Sequence, residues 1–122
     1  VLPTEDDAIS RAIRFILSNL DKPLAVPDLA EVAGFTRAHF TRVFTEHEGL
    51  PPAEFVLQQR MRRAASLLAS DASVSVKDVA VLVGFDDPNY FAKVFRRVFG
   101  TSPTEFRTTG MYATPAAGER PG

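Results

Sequence analysis

The sequence predicts an all-α fold in which two helix-turn-helix units are joined by a long linker helix. Three observations predict it. Half of the chain is one stretch written twice: VPDLAEVAGFTRAHFTRVFTEHEGLPPAEF at 26–55 returns as VKDVAVLVGFDDPNYFAKVFRRVFGTSPTEF at 76–106. Val26, Asp28, Ala30, Gly34 and Phe35 recur as Val76, Asp78, Ala80, Gly84 and Phe85. After one inserted residue, Phe40, Val43, Phe44, Gly49, Pro52, Glu54 and Phe55 recur as Phe91, Val94, Phe95, Gly100, Pro103, Glu105 and Phe106. A fixed offset of this kind marks one supersecondary unit used twice. Apolar residues keep a three- and four-residue spacing with no strand-like alternation, and Gly and Pro fall between the periodic segments.

The elements follow in order. Over 5–20, Ala8, Ile9, Ala12, Ile13, Ile16, Leu17 and Leu20 form one stripe, with charged and polar residues between them. This is an amphipathic helix, with Thr4 as N-cap and three acids in its first turn to suit the helix dipole. Its stripe is expected to pack on the first repeat. Asp21-Lys22-Pro23 breaks the chain. Leu24 and Leu29 then staple the start of the next helix, as Val74 and Val79 do in the second copy. Ser75 with Asp78 forms a capping box that the first copy, with Ala25, lacks.

Gly34 and Gly84 end the short helices, where a left-handed residue is least costly as Gly. Thr36 and Asp87 cap the longer helices, and Pro88 sits at the favoured first position of its helix. These helices run to about Glu48 and Phe99 and close at Gly49 and Gly100. Pro52 opens a breaker-free helix to about Ala69, roughly 27 Å long at the standard rise. Ser102 with Glu105 caps a last, shorter helix. The expected division is 1–50 for the first unit, 51–70 for the linker helix, 71–109 for the second unit and 110–122 for a disordered tail.

The repeated long helices carry opposed faces. Phe40, Val43 and Phe44 share the apolar face of one, and Phe91, Val94, Phe95 and Phe99 that of the other. The opposite faces carry Arg37, Ala38, Thr41, Arg42 and Glu46, and Asn89, Ala92, Lys93, Arg96 and Arg97. In a helix-turn-helix the second helix can enter a DNA groove. Net charge is −1 and pI about 6.1, which argues against a generally basic nucleic-acid binder. The positive charge is local: residues 88–107 hold Lys93, Arg96, Arg97 and Arg107 against Glu105.

Composition narrows the other classes. The absence of cysteine rules out a disulfide framework, a cysteine zinc cluster and a thiol nucleophile. There is no Gly-rich phosphate loop and no Ser/His/Asp set, so an enzyme is not expected. No stretch has the apolar length of a membrane span and no signal peptide is visible. No cofactor is expected, and the localisation expected is cytoplasmic, in association with the nucleoid. His39 and His47 stand eight residues apart and are expected to be without acidic companions, which argues against a metal site. His39 is expected to pack, His47 to be exposed, and one of Arg60, Arg62 and Arg63, preferably Arg60, to form an internal ion pair. The Phe stripes read as core, and Asp86-Asp87 as a cap.

Two blocks carry a resemblance. One is Asp28-Leu-Ala, Ala33-Gly-Phe-Thr36, His39-Phe40, Arg42-Val-Phe44, Gly49 and Pro52. The other is Val83-Gly-Phe-Asp86-Asp-Pro-Asn-Tyr-Phe91, Lys93-Val-Phe95, Gly100 and Pro103. They resemble the DNA-binding domain of AraC/XylS-family transcription regulators over residues 5–107. The resemblance implies seven helices in a homeodomain-like arrangement, and two recognition helices in successive major grooves of double-stranded DNA. It implies Arg37, Ala38, Thr41 and Arg42 as base-reading candidates in the first unit, and Asn89, Ala92 and Lys93 in the second. Ala38 offers only a contact to a thymine methyl, and Lys93, in place of the commoner Arg, lacks the two-pronged fork for guanine.

The family commonly joins this domain to an N-terminal effector or dimerisation domain, and the start at Val1 fits a fragment of such a regulator. The isolated domain is expected to be mostly monomeric. A rival reading is a protein-interaction module that contacts RNA polymerase and binds DNA only weakly by itself.

Overall fold

The computed structural model describes residues 4–109, so the tail expected over 110–122 lies outside the described residues. The described residues form seven helices and no strand: α1 (Glu5–Ser18), α2 (Val26–Ala33), α3 (Arg37–Glu48), α4 (Pro52–Ser70), α5 (Val76–Leu82), α6 (Pro88–Phe99) and α7 (Pro103–Thr109). None is long and apolar enough to cross a membrane. The chain divides into two compact units at Gln59–Arg60, inside α4.

In the first unit, α1 packs on both α2 and α3. Ala8, Ile9, Ala12 and Ile16 recur at helical spacing and are buried against Leu29, Ala30 and Ala33 of α2 and Phe40, Val43 and Phe44 of α3. Phe55 and Val56 of α4 complete this core. The stripe of α1 is narrower than its composition suggests. Leu17 is 44% exposed, because it lies beyond the edge of the face that meets the repeat. The helix also stops short of Leu20. Asn19 folds back to donate from Nδ2 to the Phe15 carbonyl and from its N–H to the Ile16 carbonyl, which closes the last turn. Leu20 is buried all the same, from the turn that follows.

The second unit repeats the plan. Phe91, Val94 and Phe95 of α6 are buried, as are Val79 and Ala80 of α5, Phe106 of α7 and Met61, Ala64, Ala65 and Leu68 of α4. The aromatic contacts correspond copy for copy. Phe40–Phe44 and Phe44–Phe55 ring centroids lie 5.5 and 5.3 Å apart; Phe91–Phe95 and Phe95–Phe106 lie 5.9 and 5.6 Å apart. These are favourable tilted and edge-to-face separations. Truncating either central ring, Phe44 or Phe95, to alanine costs about 3–5 kcal/mol.

The helix-turn-helix corners also correspond. The Phe35 N–H donates to the Ala30 carbonyl and the Gly34 N–H to the Glu31 carbonyl; Phe85 and Gly84 make the same bonds to Ala80 and Val81. This is the pattern of a Schellman closure, in which orphan carbonyls of the last turn are satisfied. Gly34 is the C-cap at φ 78°. In the second copy the cap is Val83, and Gly84, at φ 87°, follows it. The shift is one residue and leaves the corner unchanged.

The caps are less uniform. Thr36 and Asp87 accept from His39 and Asn89 N–H groups as expected. Thr4 and Asp7 form a full capping box, and Ser102 and Glu105 form another. At Ser75 only the hydroxyl half is made, from the Asp78 N–H at 3.0 Å. The reciprocal carboxylate bond that the Ser75–Asp78 spacing suggests is not among the bonds of this cap. Ala25 makes no side-chain cap, although its backbone (φ −76°, ψ 141°) is close to that of Ser75 (φ −71°, ψ 160°). Two arginines not anticipated from sequence close helix ends. Arg11 donates to the Val32 and Ala33 carbonyls at the end of α2, and Arg107 to the Leu68 and Asp71 carbonyls at the end of α4. A cation there satisfies orphan carbonyls and suits the dipole.

Two predictions follow from the caps. Ala25→Ser is expected to stabilise the domain by about 0.5–1 kcal/mol, and Ser75→Ala to destabilise it by a similar amount, both read from urea unfolding midpoints. The second concerns acid. Asp7, Asp71 and Glu105 are held below their ordinary carboxylate range. The causes are the Thr4 N–H and hydroxyl, the Ser73 hydroxyl and N–H, and the Ser102 N–H and hydroxyl respectively. Their folded values are depressed, so their stabilisation is complete above the ordinary carboxylate range. It is lost as pH falls through that range towards the folded values. The melting temperature should therefore fall on acidification, and Glu105→Gln should flatten that fall.

Candidate nucleic-acid interface

Burial of Phe40, Val43 and Phe44 fixes which side of α3 meets solvent. Arg37, Ala38, Thr41, Arg42, Thr45 and Glu46 together line a shallow, open concavity on the other side. Arg37, Ala38 and Arg42 are exposed and Thr41 is half-buried. The structure thus brings all four sequence-identified residues of this helix to one surface. It adds Thr45, which sequence reading missed. Thr45 stands one turn beyond Thr41 and donates its hydroxyl to the Thr41 carbonyl at 2.7 Å. Continuing the Ala38, Thr41 spacing by one more turn would have found it.

Arg42 is not a freely waving charge. One terminal nitrogen lies 3.1 Å from Glu46 Oε1 and the other 3.0 Å from His39 Nδ1. His39 in turn puts Nε2 3.1 Å from Glu5 Oε2, at the first turn of α1. Its ring stands edge-on to Phe35 with centroids 4.6 Å apart. Packing of His39 was expected; its acidic partner was not. The same correction applies to His47, which meets Asp6 at 3.4 Å and Glu48 at 2.7 Å. Both histidines have acidic companions: the packing of α1 brings Glu5 to His39 and Asp6 to His47, and the neighbouring Glu48 is a second partner for His47. No group of three or more potential metal ligands occurs among the described residues. Exposed pairs of this kind contribute about 0–1 kcal/mol to stability. Their effect is to order side chains rather than to hold the fold.

On α6 the exposed face carries Asn89, Lys93, Arg96 and Arg97, with Ala92 half-buried beside them. Asn89, Ala92, Lys93 and Arg96 follow the spacing of one helix face, and Arg97 flanks it. Arg96 acts on Glu105 of α7 as one of the smaller contributions to that carboxyl's lowered pKa. Among the described residues no carboxylate comes within ion-pair distance of Lys93 or Arg97, so this face is the more positive of the two. Asp87 is occupied in capping Asn89, while Asp86 is exposed. On α4, Arg62 and Arg63 are exposed; Arg60 is half-buried, and burial lowers its guanidinium pKa.

Residues 29–109 match a family model described as a helix-turn-helix domain. The chain is 33% identical over 103 residues to the HTH-type transcriptional activator AarP of Providencia stuartii, a match that covers 84% of this chain and 76% of that protein. Its fold matches the DNA-binding domain of AdpA, a global transcriptional factor crystallised with a target DNA. There the TM-score is 0.80 at 30% identity over 84% of this chain and 91% of that one. A transcriptional regulator with an AraC-type DNA-binding domain from Chromobacterium violaceum gives a TM-score of 0.80 at 26% identity, over 91% and 96% of the two chains. The chain spans about a third to two fifths of the length of the first curated relatives it matches.

Proposed function

The chain belongs to the AraC family of helix-turn-helix transcriptional regulators, and we propose that it binds double-stranded DNA in a sequence-specific way through the polar faces of α3 and α6. One observation carries the proposal. Each unit buries two phenylalanines of its second helix, Phe40 and Phe44 or Phe91 and Phe95, so the polar residues of that helix are turned outward as a set, with Arg42 at the centre of one and Lys93 at the centre of the other. AdpA, with a similar fold, was crystallised on its target DNA.

The roles of the residues follow from their chemistry. Arg42 presents the two-pronged fork that pairs with the guanine acceptors in the major groove. Thr41 and Thr45 offer hydroxyls and methyls, and Ala38 a methyl that suits thymine. Lys93, Arg96 and Arg97 act chiefly on phosphate, positioning the second unit rather than reading sequence. We assign the two second helices to successive major grooves, about 34 Å apart on one face of B-DNA. The relatives are longer than this chain, which supports a place for it inside a larger regulator that acts in the cytoplasm on chromosomal DNA. A contact with RNA polymerase would add to DNA binding rather than replace it.

Arg42→Ala should weaken binding to a duplex selected from a random library by about 1–3 kcal/mol, and relax preference at one base pair. Lys93→Ala should weaken selected and random duplexes alike and flatten the salt slope by about one unit. Equal, sequence-independent losses in both variants, measured by fluorescence anisotropy, would show that neither reads bases. Hydroxyl-radical footprinting should show protection over roughly two helical turns, with stricter preference in the half facing α3. Protection limited to a single groove segment would contradict the assignment of both helices.

A further inference from the structure

Arg42 is held at both ends of its fork, and the holders differ in kind. Glu46 is on the next turn of the same helix and supplies an anion 3.1 Å away. His39, one turn before, supplies a neutral lone pair: an arginine N–H pointing at Nδ1 at 3.0 Å requires that nitrogen to be the acceptor. The ring proton then resides on Nε2 and points at Glu5 Oε2, 3.1 Å away. Phe35 closes the remaining side of the imidazole edge-on. The chain Glu5–His39–Arg42–Glu46 therefore runs from the first turn of α1 to the exposed face of α3.

We propose that His39 is a positioning residue for base readout, which fixes the Arg42 guanidinium in the orientation that reads a base and is itself fixed by Glu5. The inference deepens the reading of α3 as a DNA-reading helix and rests on it. Glu46 and His39 engage one N–H on each terminal nitrogen, which leaves three of the five guanidinium N–H groups for a ligand, enough for a two-pronged contact. An arginine side chain ordered before binding loses less entropy when it forms that contact. Glu46 removes much of the guanidinium's appeal to phosphate, so the arginine gains more from a base edge than from backbone. The first-unit surface is accordingly selective rather than adhesive.

The imidazole atoms give a discriminating test. An asparagine at position 39 places its amide oxygen near Nδ1, facing Arg42. A glutamine places its amide nearer Nε2, facing Glu5. A duplex is first selected from random DNA with the unaltered chain, and the base pair whose preference disappears in Arg42→Ala is located. Discrimination at that pair, as a ratio of dissociation constants, is then measured for each variant. His39→Ala and His39→Gln should lower the ratio roughly threefold to tenfold, and His39→Asn should restore most of it. Glu5→Ala should lower it by a smaller factor, with random-duplex affinity unchanged or higher. Circular dichroism and melting curves identify any variant that has lost its fold; Glu5→Ala and His39→Asn then carry the test.

Unchanged discrimination in folded His39→Ala or Glu5→Ala overturns the proposal while leaving base reading by Arg42 intact. Equal loss in His39→Asn and His39→Gln overturns it too, since a merely structural histidine would give that result. If Arg42→Ala abolishes no base preference, the reading of α3 fails, and this inference fails with it.

Discussion

The central phenylalanine of each repeated helix, Phe44 in α3 and Phe95 in α6, is the contact on which the arrangement depends. Each is fully buried, touches the phenylalanine one turn before it on its own helix, and meets one from the next helix, Phe55 or Phe106. An aromatic ring offers a large apolar area with few rotamers, so it fixes the rotation of a helix about its axis as well as its depth. Once that rotation is set, the helical period decides which residues face outward. The polar faces are the remainder left by core packing, and this is why the same phenylalanines recur while the residues opposite them do not.

The two units use one scaffold with different electrostatics. The exposed face of α3 mixes arginine with Glu46 and borrows histidine and glutamate contacts from its own turn and from α1. The face of α6 is plainly cationic. A near-neutral chain can still bind a polyanion when its charges are separated in this way, because the local field and not the net charge meets the phosphates. The division suits an adhesive half and a selective half. The exposed Asp86 beside α6 works against adhesion at that end of the helix, so the phosphate contacts fall to Lys93, Arg96 and Arg97.

Much of this was legible in the sequence, for a physical reason. The helices, their caps and their order follow from local rules, and the repeat supplied each rule twice. The buried stripes followed from the spacing of Phe, Val and Ala. The errors fall where distant segments meet. Glu5 and Asp6, which α1 brings to His39 and His47, lie more than thirty positions away in the chain, and no local pattern announces them; Glu48, the other partner of His47, is its neighbour in sequence. Arg11 and Arg107 cap helices that lie far from them in sequence. Leu17 is apolar and correctly spaced, yet exposed, because the width of a buried stripe is set by the partner's surface. The outward set on α3 was legible except for Thr45, one turn beyond Thr41.

We assign DNA binding to the outward faces of α3 and α6. Backbone amide chemical-shift mapping tests it most directly, by titrating a duplex selected for tight binding into isotopically labelled protein. The largest perturbations are expected over residues 36–46 and 87–97, with smaller ones at the first turn of α1 transmitted through Glu5 and His39. Perturbations concentrated on the exposed apolar residues Val81 and Leu82 of α5, or on Phe15 and Leu17 of α1, with α3 and α6 unmoved, would contradict it.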